Sequence, residues 1–169
     1  VEGKVSGVNK GGIEVEVARK DKPPLKILFS GDIGPDHKML QPDPQAPTGY
    51  DYVICESTYG GKDRFERSEE KRRELMAAEV NAAAARKGAL LIPSFAVERT
   101  QEVVTDLIYL MEQGKVPAAT IFIDSPLANK ASQIFKKYAK DLQNGDVLFK
   151  AFSSPLLKST ETVEDSKAI

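Results

Sequence analysis

The segment TIFIDSPLA, residues 120–128, joins a short apolar run to the start of an amphipathic segment. The apolar run, which ends at Ile123, predicts a strand. The residues after Asp124 predict a helix, because apolar side chains recur there at helical spacing. The stripe consists of Leu127, Ala131, Ile134, Phe135, Tyr138 and Leu142.

The same alternation of strand and helix precedes this segment. Residues 66–86 predict a helix that ends at Gly88, residues 89–93 predict a fully apolar strand, and a second helix follows and ends at Gly114. The first helix has Leu75, Met76, Glu79, Val80 and Ala83 on one face, and the second has Val97, Val104, Leu107, Ile108 and Met111 in helical register. Apolar strands alternating with amphipathic helices imply an α/β fold, with a parallel sheet and helices on both faces.

The N-terminal part is predicted to be β structure. Residues 13–17 alternate between apolar and charged side chains, and residues 25–29 are mostly apolar, which predicts a hairpin around a polar, proline-rich turn at residues 20–24. A short apolar strand is predicted at residues 52–55, after a loop over residues 35–49. The pattern changes near residues 57–60, and residues 153–169 leave a loop and a frayed helix as open alternatives.

The composition limits the function classes. The net charge of −1 argues against a domain coated in positive charge for nucleic acid, so RNA or DNA would need a local groove or residues outside this chain. One cysteine, Cys55, allows no internal disulfide and favours a cytoplasmic location. A zinc site built on imidazole needs two or three histidines, and His37 is the only one. The sequence starts with no signal-peptide pattern. The missing initiator Met leads us to expect an excerpt of a longer protein.

Two acids follow apolar strands. Asp32 lies in the turn after the predicted strand at residues 25–29, where glycines on both sides let the backbone approach a ligand closely. Glu56 ends the strand at residues 52–55. Both acids could converge at one edge of one sheet and form a shared site. The alternatives are a turn Asp that caps its own loop and a Glu in a cap or an ion pair.

Arg99, Ser94 and Ser125 are the candidates for contact with phosphate. Each lies at a predicted junction of strand and helix, where helix N-terminal amides favour anions. Arg99 could bind a phosphate with two hydrogen bonds, or it could form an ion pair on its own helix. The acids in reach for that pair are Glu98, Glu102 and Asp106.

Other reactive or charged side chains have ordinary interpretations. His37, in the loop after Asp32, could reach a metal, but a simple hydrogen bond is the favoured interpretation. Cys55 is interpreted as a small core residue and not as a nucleophile. The basic residues 71–73 lie among glutamates and are interpreted as a solvated helix face, not as an RNA groove.

Four segments together resemble the metallo-β-lactamase-fold hydrolases of the β-CASP RNA-processing nuclease family. They are FSGDIG at 29–34, ESTYG at 56–60, IPSFAVERTQE at 92–102 and DSPLA at 124–128. The third departs from the family at Glu98, where Gly is usual. The resemblance implies part of a metallo-β-lactamase β-sheet in residues 1–58. A Rossmann-like β-CASP domain with parallel strands and flanking helices would then occupy residues 59–169.

The resemblance also implies a chemistry. Two zinc ions in the parent protein would hold a hydroxide and polarise an RNA phosphodiester, with Asp32 bridging the ions and Glu56 orienting a histidine. The family's histidine motifs are absent, and no His precedes Asp32 in residues 5–12. We therefore expect this chain alone to bind zinc weakly. The alternative is a non-catalytic relative that binds nucleic acid or acts as a scaffold, and single-stranded DNA and a homodimer also stay open.

Overall fold

The computed structural model describes residues 3–9, 12–34, 38–42, 48–61 and 68–169. The chain divides into two compact units. Unit 1 comprises Val1–Lys38 and Asp43–Phe65, and unit 2 comprises Met39–Pro42 and Glu66–Ile169.

Unit 1 contains a four-stranded sheet in the order β1-β2-β3-β4. Its strands are β1 (Gly3–Asn9), β2 (Gly12–Arg19), β3 (Lys22–Phe29) and β4 (Tyr52–Ile54). β2 and β3 pair antiparallel, which confirms the predicted hairpin. The turn is tighter than predicted, because Arg19 already pairs with Lys22 and Asp21 adopts a positive φ of 59°. Asp tolerates this left-handed conformation better than most residues.

β3 and β4 are parallel, and this pairing decides where the acids lie. Phe29 pairs with Ile54 at the end of the two strands. The start of the pair is fixed by Asp51, whose N–H donates to the Lys26 carbonyl at 2.9 Å and whose carboxylate accepts the Lys26 N–H at 2.9 Å. Both strands therefore deliver their following residues to the same edge of the sheet.

Unit 2 alternates helices with two short parallel strands. Its elements are α1 (Glu69–Ala85), α2 (Arg99–Glu112), β5 (Ile121–Ile123), α3 (Pro126–Lys137), α4 (Gly145–Ala151), β6 (Leu157–Ser159) and α5 (Val163–Lys167). β5 and β6 pair in parallel. The predicted α/β class, with parallel strands and flanking helices, is confirmed. In residues 153–169, for which the sequence left a loop and a helix open, the structure has the helix α5. It also has the strand β6, which the sequence pattern did not indicate.

Two apolar clusters stabilise unit 2. The first joins α2, β5, α3 and α4 through Val104, Ile108, Ile123, Ala128 and Ala151. The second consists of Met39, Leu40, Ala139 and Leu148. The short segment Met39–Pro42 thus belongs to the core of unit 2, where Leu40 is only 1% exposed.

Three sequence predictions in unit 2 are wrong in detail. Residues 89–93 form no strand, and Leu91 is 88% exposed, because no described strand pairs with this segment. On α3 the buried face is Ala128, Ala131 and Ser132, whereas Leu127 and Ile134 of the predicted stripe are exposed.

The apolar face predicted for α1 is not buried either, since no residue of that helix is buried. α1 instead contacts α2 through polar groups. Arg72 and Arg73 bind Asp106, and the Asn81 amide donates to the Lys115 carbonyl at 3.1 Å. Among the described residues, no helix combines the length and the apolar content needed to cross a membrane.

Candidate active site

The ends of β3 and β4 form the candidate site, which we call the acid edge and define as residues 30–34 together with Glu56 and Thr58. Asp32 follows β3 and Glu56 follows β4. Because the two strands are parallel, their carboxyl ends are neighbours, and the Ser30 N–H donates to the Ile54 carbonyl at 2.9 Å. The Ile33 N–H donates to Glu56 Oε1 at 2.6 Å. Glu56 therefore contacts the residue directly after Asp32.

Two hydroxyl groups complete this contact. Ser30 Oγ accepts the Glu56 N–H at 2.9 Å and donates to the Gly31 carbonyl at 2.8 Å. Thr58 Oγ1 donates to Glu56 Oε2 at 2.5 Å. Gly31 and Gly34 adopt positive φ values of 56° and 72°, a conformation that glycine takes without steric cost. Hydrogen bonds from both sides thus hold the turn that carries Asp32.

Glu56 is held as a carboxylate. The Thr58 hydroxyl, followed by the Ile33 N–H, lowers the pKa of Glu56 below its ordinary value. Hydrogen bonds to the ionised form of an acid favour that form. Both donors are neutral, so they leave the negative charge of Glu56 in place. Each carboxylate oxygen can accept a second hydrogen bond, so Glu56 could still bind a histidine.

The described residues do not by themselves fit a two-zinc centre. Within residues 3–9, 12–34, 38–42, 48–61 and 68–169, no three His, Cys, Asp or Glu side chains form a metal-binding group. Asp32 is exposed and offers carboxylate oxygens of the kind that hard or borderline cations bind. It can serve as one ligand, and its bridging role stays a prediction.

The three predicted phosphate contacts lie in unit 2. Ser125 is the N-cap of α3, and its Oγ accepts the Ala128 N–H at 3.2 Å. Ser94 is exposed in irregular backbone before α2. Arg99 pairs with Glu102 at 2.8 Å, which is one of the two alternatives that the sequence left open. Contact of these residues with phosphate stays a prediction.

The turn before α2 has an unusual backbone. Glu98 has φ 69° and ψ −62°, and the Arg99 N–H donates to the Val97 carbonyl at 2.9 Å. This is a classical γ-turn, which is rare and strained for a residue with a side chain. The strain gives a physical reason for the glycine that is usual at this position in the family that the sequence resembles.

Two ordinary interpretations from the sequence are wrong. Cys55 is exposed and is not a core residue, because no described element covers it. Arg72 and Arg73 do not lie on a solvated face, since each donates through Nε to the buried Asp106, at 2.7 and 2.8 Å. Only Lys71 of that basic cluster is exposed. His37 lies outside the described residues.

The sequence prediction missed Ser30 and Thr58. A usable signal was present, because each hydroxyl lies two residues from an acid, Ser30 before Asp32 and Thr58 after Glu56. Side chains that bond backbone groups one or two residues away are a known property of Ser and Thr. Thr58 contacts Glu56 locally, but the contact of Ser30 with Glu56 requires the parallel pairing of β3 with β4, which the sequence pattern did not reveal.

Comparison with known proteins identifies the family. Residues 100–169 match the Beta-Casp domain. A relative named Ribonuclease TTHA0252, from Thermus thermophilus, is 35% identical over 115 residues, which cover 68% of this chain and 26% of the relative. The chain belongs to the β-CASP family. The matched β-CASP region runs from the start of α2 to the end of α5.

Two further relatives also have names that refer to cleavage. Endoribonuclease YSH1 of Kluyveromyces lactis is 28% identical over 160 residues, covering 83% of this chain and 20% of the relative. Cleavage and polyadenylation specificity factor subunit 3 of Dictyostelium discoideum is 31% identical over 116 residues, covering 68% and 15%. This chain thus spans about a quarter or less of the length of these relatives.

Proposed function

We propose that the protein containing this chain hydrolyses phosphodiester bonds of RNA with the help of zinc. The observation that supports the proposal is the acid edge, where Asp32 and Glu56 follow two parallel strands of a β-CASP chain. The names of the relatives, ribonuclease and endoribonuclease, favour RNA over single-stranded DNA as the substrate.

Asp32 would supply one metal ligand from this chain. Its carboxylate is exposed in the turn after β3 and is therefore accessible to a bound metal ion. The remaining ligands of a zinc site would have to come from other residues. Glu56 would act beside this site, orienting a histidine through an oxygen that still has acceptor capacity.

The substrate contacts that we propose are Ser94, Ser125 and Arg99. Ser125 begins the twelve-residue helix α3, whose N-terminal amides favour an anion. Arg99 is half exposed and would have to share its guanidinium between Glu102 and a phosphate. The five donors of a guanidinium make such sharing feasible.

The decisive experiment is cleavage of a labelled RNA by the full protein and its Asp32→Ala variant. We expect the variant to lose at least about a hundredfold in kcat/KM, more than the loss typical for residues that only support metal ligands. Asp21→Asn is the matched control, because Asp21 is an exposed turn aspartate at the opposite end of the same hairpin. It should keep full activity.

The same assay separates the alternatives. Equal activity of Asp32→Ala and wild type would show that Asp32 is no metal ligand. RNA binding without cleavage by the wild type would support the non-catalytic scaffold instead.

Two other expectations need separate experiments. Light scattering of the wild type tests the homodimer, and fractionation of cells tests the cytoplasmic location that the single cysteine favours.

A further inference from the structure

We propose that Ser30 and Thr58 are positioning residues that lock Glu56 onto the turn carrying Asp32 and thereby fix the Asp32 carboxylate. The proposal rests on the function proposed above and adds two residues to it. It also gives Glu56 a second task, which is to hold the backbone of the Asp32 turn.

Glu56 is fixed at three points. Its N–H donates to Ser30 Oγ at 2.9 Å, its Oε1 accepts the Ile33 N–H at 2.6 Å, and its Oε2 accepts the Thr58 hydroxyl at 2.5 Å. The first bond holds its main chain, and the other two hold both oxygens of its side chain. A carboxylate that is held at both oxygens has little freedom to rotate.

These bonds reach both peptide groups that flank Asp32. The peptide before Asp32 contains the Gly31 carbonyl, which accepts the Ser30 hydroxyl at 2.8 Å. The peptide after Asp32 contains the Ile33 N–H, which Glu56 holds. Because a peptide group is planar, holding the two flanking groups restricts φ and ψ of Asp32 between them.

The restriction matters because the turn is rich in glycine. Gly31 and Gly34 border the acid, and glycine has more backbone conformations available than any other residue. Without the hydrogen bonds, the Asp32 carboxylate would sample many positions. A metal ligand needs its position held within about 0.5 Å, and a misplacement of about 1 Å can lower a rate by about a hundredfold.

The chemistry of the donors also fits the task. Neutral hydroxyl and amide donors fix Glu56 without cancelling its charge, whereas an arginine would have neutralised it. The acid edge therefore keeps its negative charge near the Asp32 turn, where a cation would bind. Ser30 links the two strands, because its hydroxyl accepts from Glu56 and donates to Gly31.

The test uses the full protein with Thr58→Val and Thr58→Ser. Valine has nearly the shape of threonine without the hydroxyl, and serine restores the donor. We expect Thr58→Val to lower kcat on RNA by about tenfold to a hundredfold with little change in KM, and Thr58→Ser to recover most of the loss. Ser57→Ala removes an exposed neighbouring hydroxyl and should leave kcat unchanged.

A second readout does not rely on activity and follows the three hydrogen bonds that hold Glu56 on the Asp32 turn, which we call the clamp. In protein labelled with [15N]isoleucine, the Ile33 amide proton should lie far downfield, since its bond to Glu56 is short and charge-assisted. Substituting Ile33→Val assigns the signal. We expect the signal to move upfield in Thr58→Val and in Ser30→Ala and to return in Thr58→Ser.

The two readouts distinguish the possible failures. An Ile33 signal that is identical in wild type and Thr58→Val would overturn the clamp. A signal that moves while kcat stays constant would overturn the positioning role. If the wild type cleaves no RNA at all, the proposed function fails, and the Ile33 signal still decides whether the clamp exists.

Discussion

Two regions of this chain hold carboxylates in opposite ways. At the acid edge, Glu56 is bound by a hydroxyl and backbone amides, and Asp32 is exposed. On α2, the Asp106 side chain has no exposed surface, and Arg72 and Arg73 bind it from α1. Charge is kept in the first region and cancelled in the second. The contrast separates a site that could attract a cation from a contact that joins two helices.

The backbone shows the same contrast. The turn around Asp32 has glycine at both positions with positive φ, so its conformation carries little strain. The turn before α2 has Glu98 at φ 69°, and packing of α2 must hold it there. The first turns of α2 are well packed, because the side chains of Gln101, Glu102, Thr105 and Asp106 are buried. Strain therefore lies beside the rigid helix and not in the acid edge.

The largest effect on stability is expected from breaking the buried ion pairs of Asp106 with Arg72 and Arg73. Asp106→Asn leaves the Arg72 guanidinium without its carboxylate partner and Arg73 paired only with Glu69, and loss of one partner of a buried ion pair costs about 3 kcal/mol or more. We expect a decrease of about 3 kcal/mol in the free energy of unfolding of the full protein, measured by urea denaturation.

The control for this prediction is Glu74→Gln, which removes the partner of Lys71 in an exposed ion pair within α1. Exposed pairs contribute at most about 1 kcal/mol. Equal effects of the two variants would show that Asp106 joins the helices no better than a surface pair does.

A smaller effect of opposite sign is expected at Glu98. Glu98→Gly should raise the free energy of unfolding by about 1 kcal/mol. It relieves backbone strain of about 1–3 kcal/mol, and the higher conformational entropy of glycine in the unfolded chain offsets part of this gain. Thermal denaturation measures the gain. Asp21→Gly, at φ 59° in the hairpin turn, should gain less, since Asp tolerates a left-handed conformation. A loss of stability in Glu98→Gly would mean that the turn is not strained.

The smallest effect is expected at a carboxylate of unit 2 that is held like Glu56. The hydroxyls of Thr160 and Ser166 lower the pKa of Asp124 below its ordinary value of 3.8. Their stabilisation is therefore complete above pH 3.8 and is lost as the pH falls through the lower pKa of the folded state. The difference in melting temperature between wild type and Ser166→Ala should be present at neutral pH and should vanish in acid.

Ser153→Ala is the matched control, because the Ser153 hydroxyl donates to the Phe149 carbonyl at 2.7 Å, and a carbonyl does not titrate. Its effect on the melting temperature should not depend on pH in this way. A Ser166→Ala difference that persists unchanged below the pKa would show that the hydroxyl does not act through the ionised Asp124.

Local patterns predicted the local structure well. The alternation in residues 13–17 and the apolar stripe of α2 correctly indicated the hairpin and the helix, because these elements bury one face against a near neighbour. The acids after β3 and β4 could also be found, since strand ends are visible in the sequence. The contact of Ser30 with Glu56 could not, because it depends on parallel pairing between distant segments, whereas the contact of Thr58 with Glu56 is local.

Burial was predicted less well. Apolar content indicates which residues gain from burial but not which element will cover them, so Leu91 and Cys55 are exposed despite their apolar surroundings. On α3, small residues allow closer packing than Leu127 or Ile134 would. The role of Arg72 and Arg73 was missed because an acid on another helix, 33–34 residues away, decides it.

The segment Met39–Pro42 has a practical consequence for dissecting this protein. The chain leaves unit 1 after Lys38, returns to it at Asp43, and leaves again after Phe65, so the two units are interleaved in sequence. A single cut, such as one between residues 58 and 59, would strip unit 2 of Met39 and Leu40, which are 3% and 1% exposed. Removing one buried leucine side chain typically costs about 2–5 kcal/mol. An independently folding unit 2 would therefore need a permuted chain that carries residues 39–42 along.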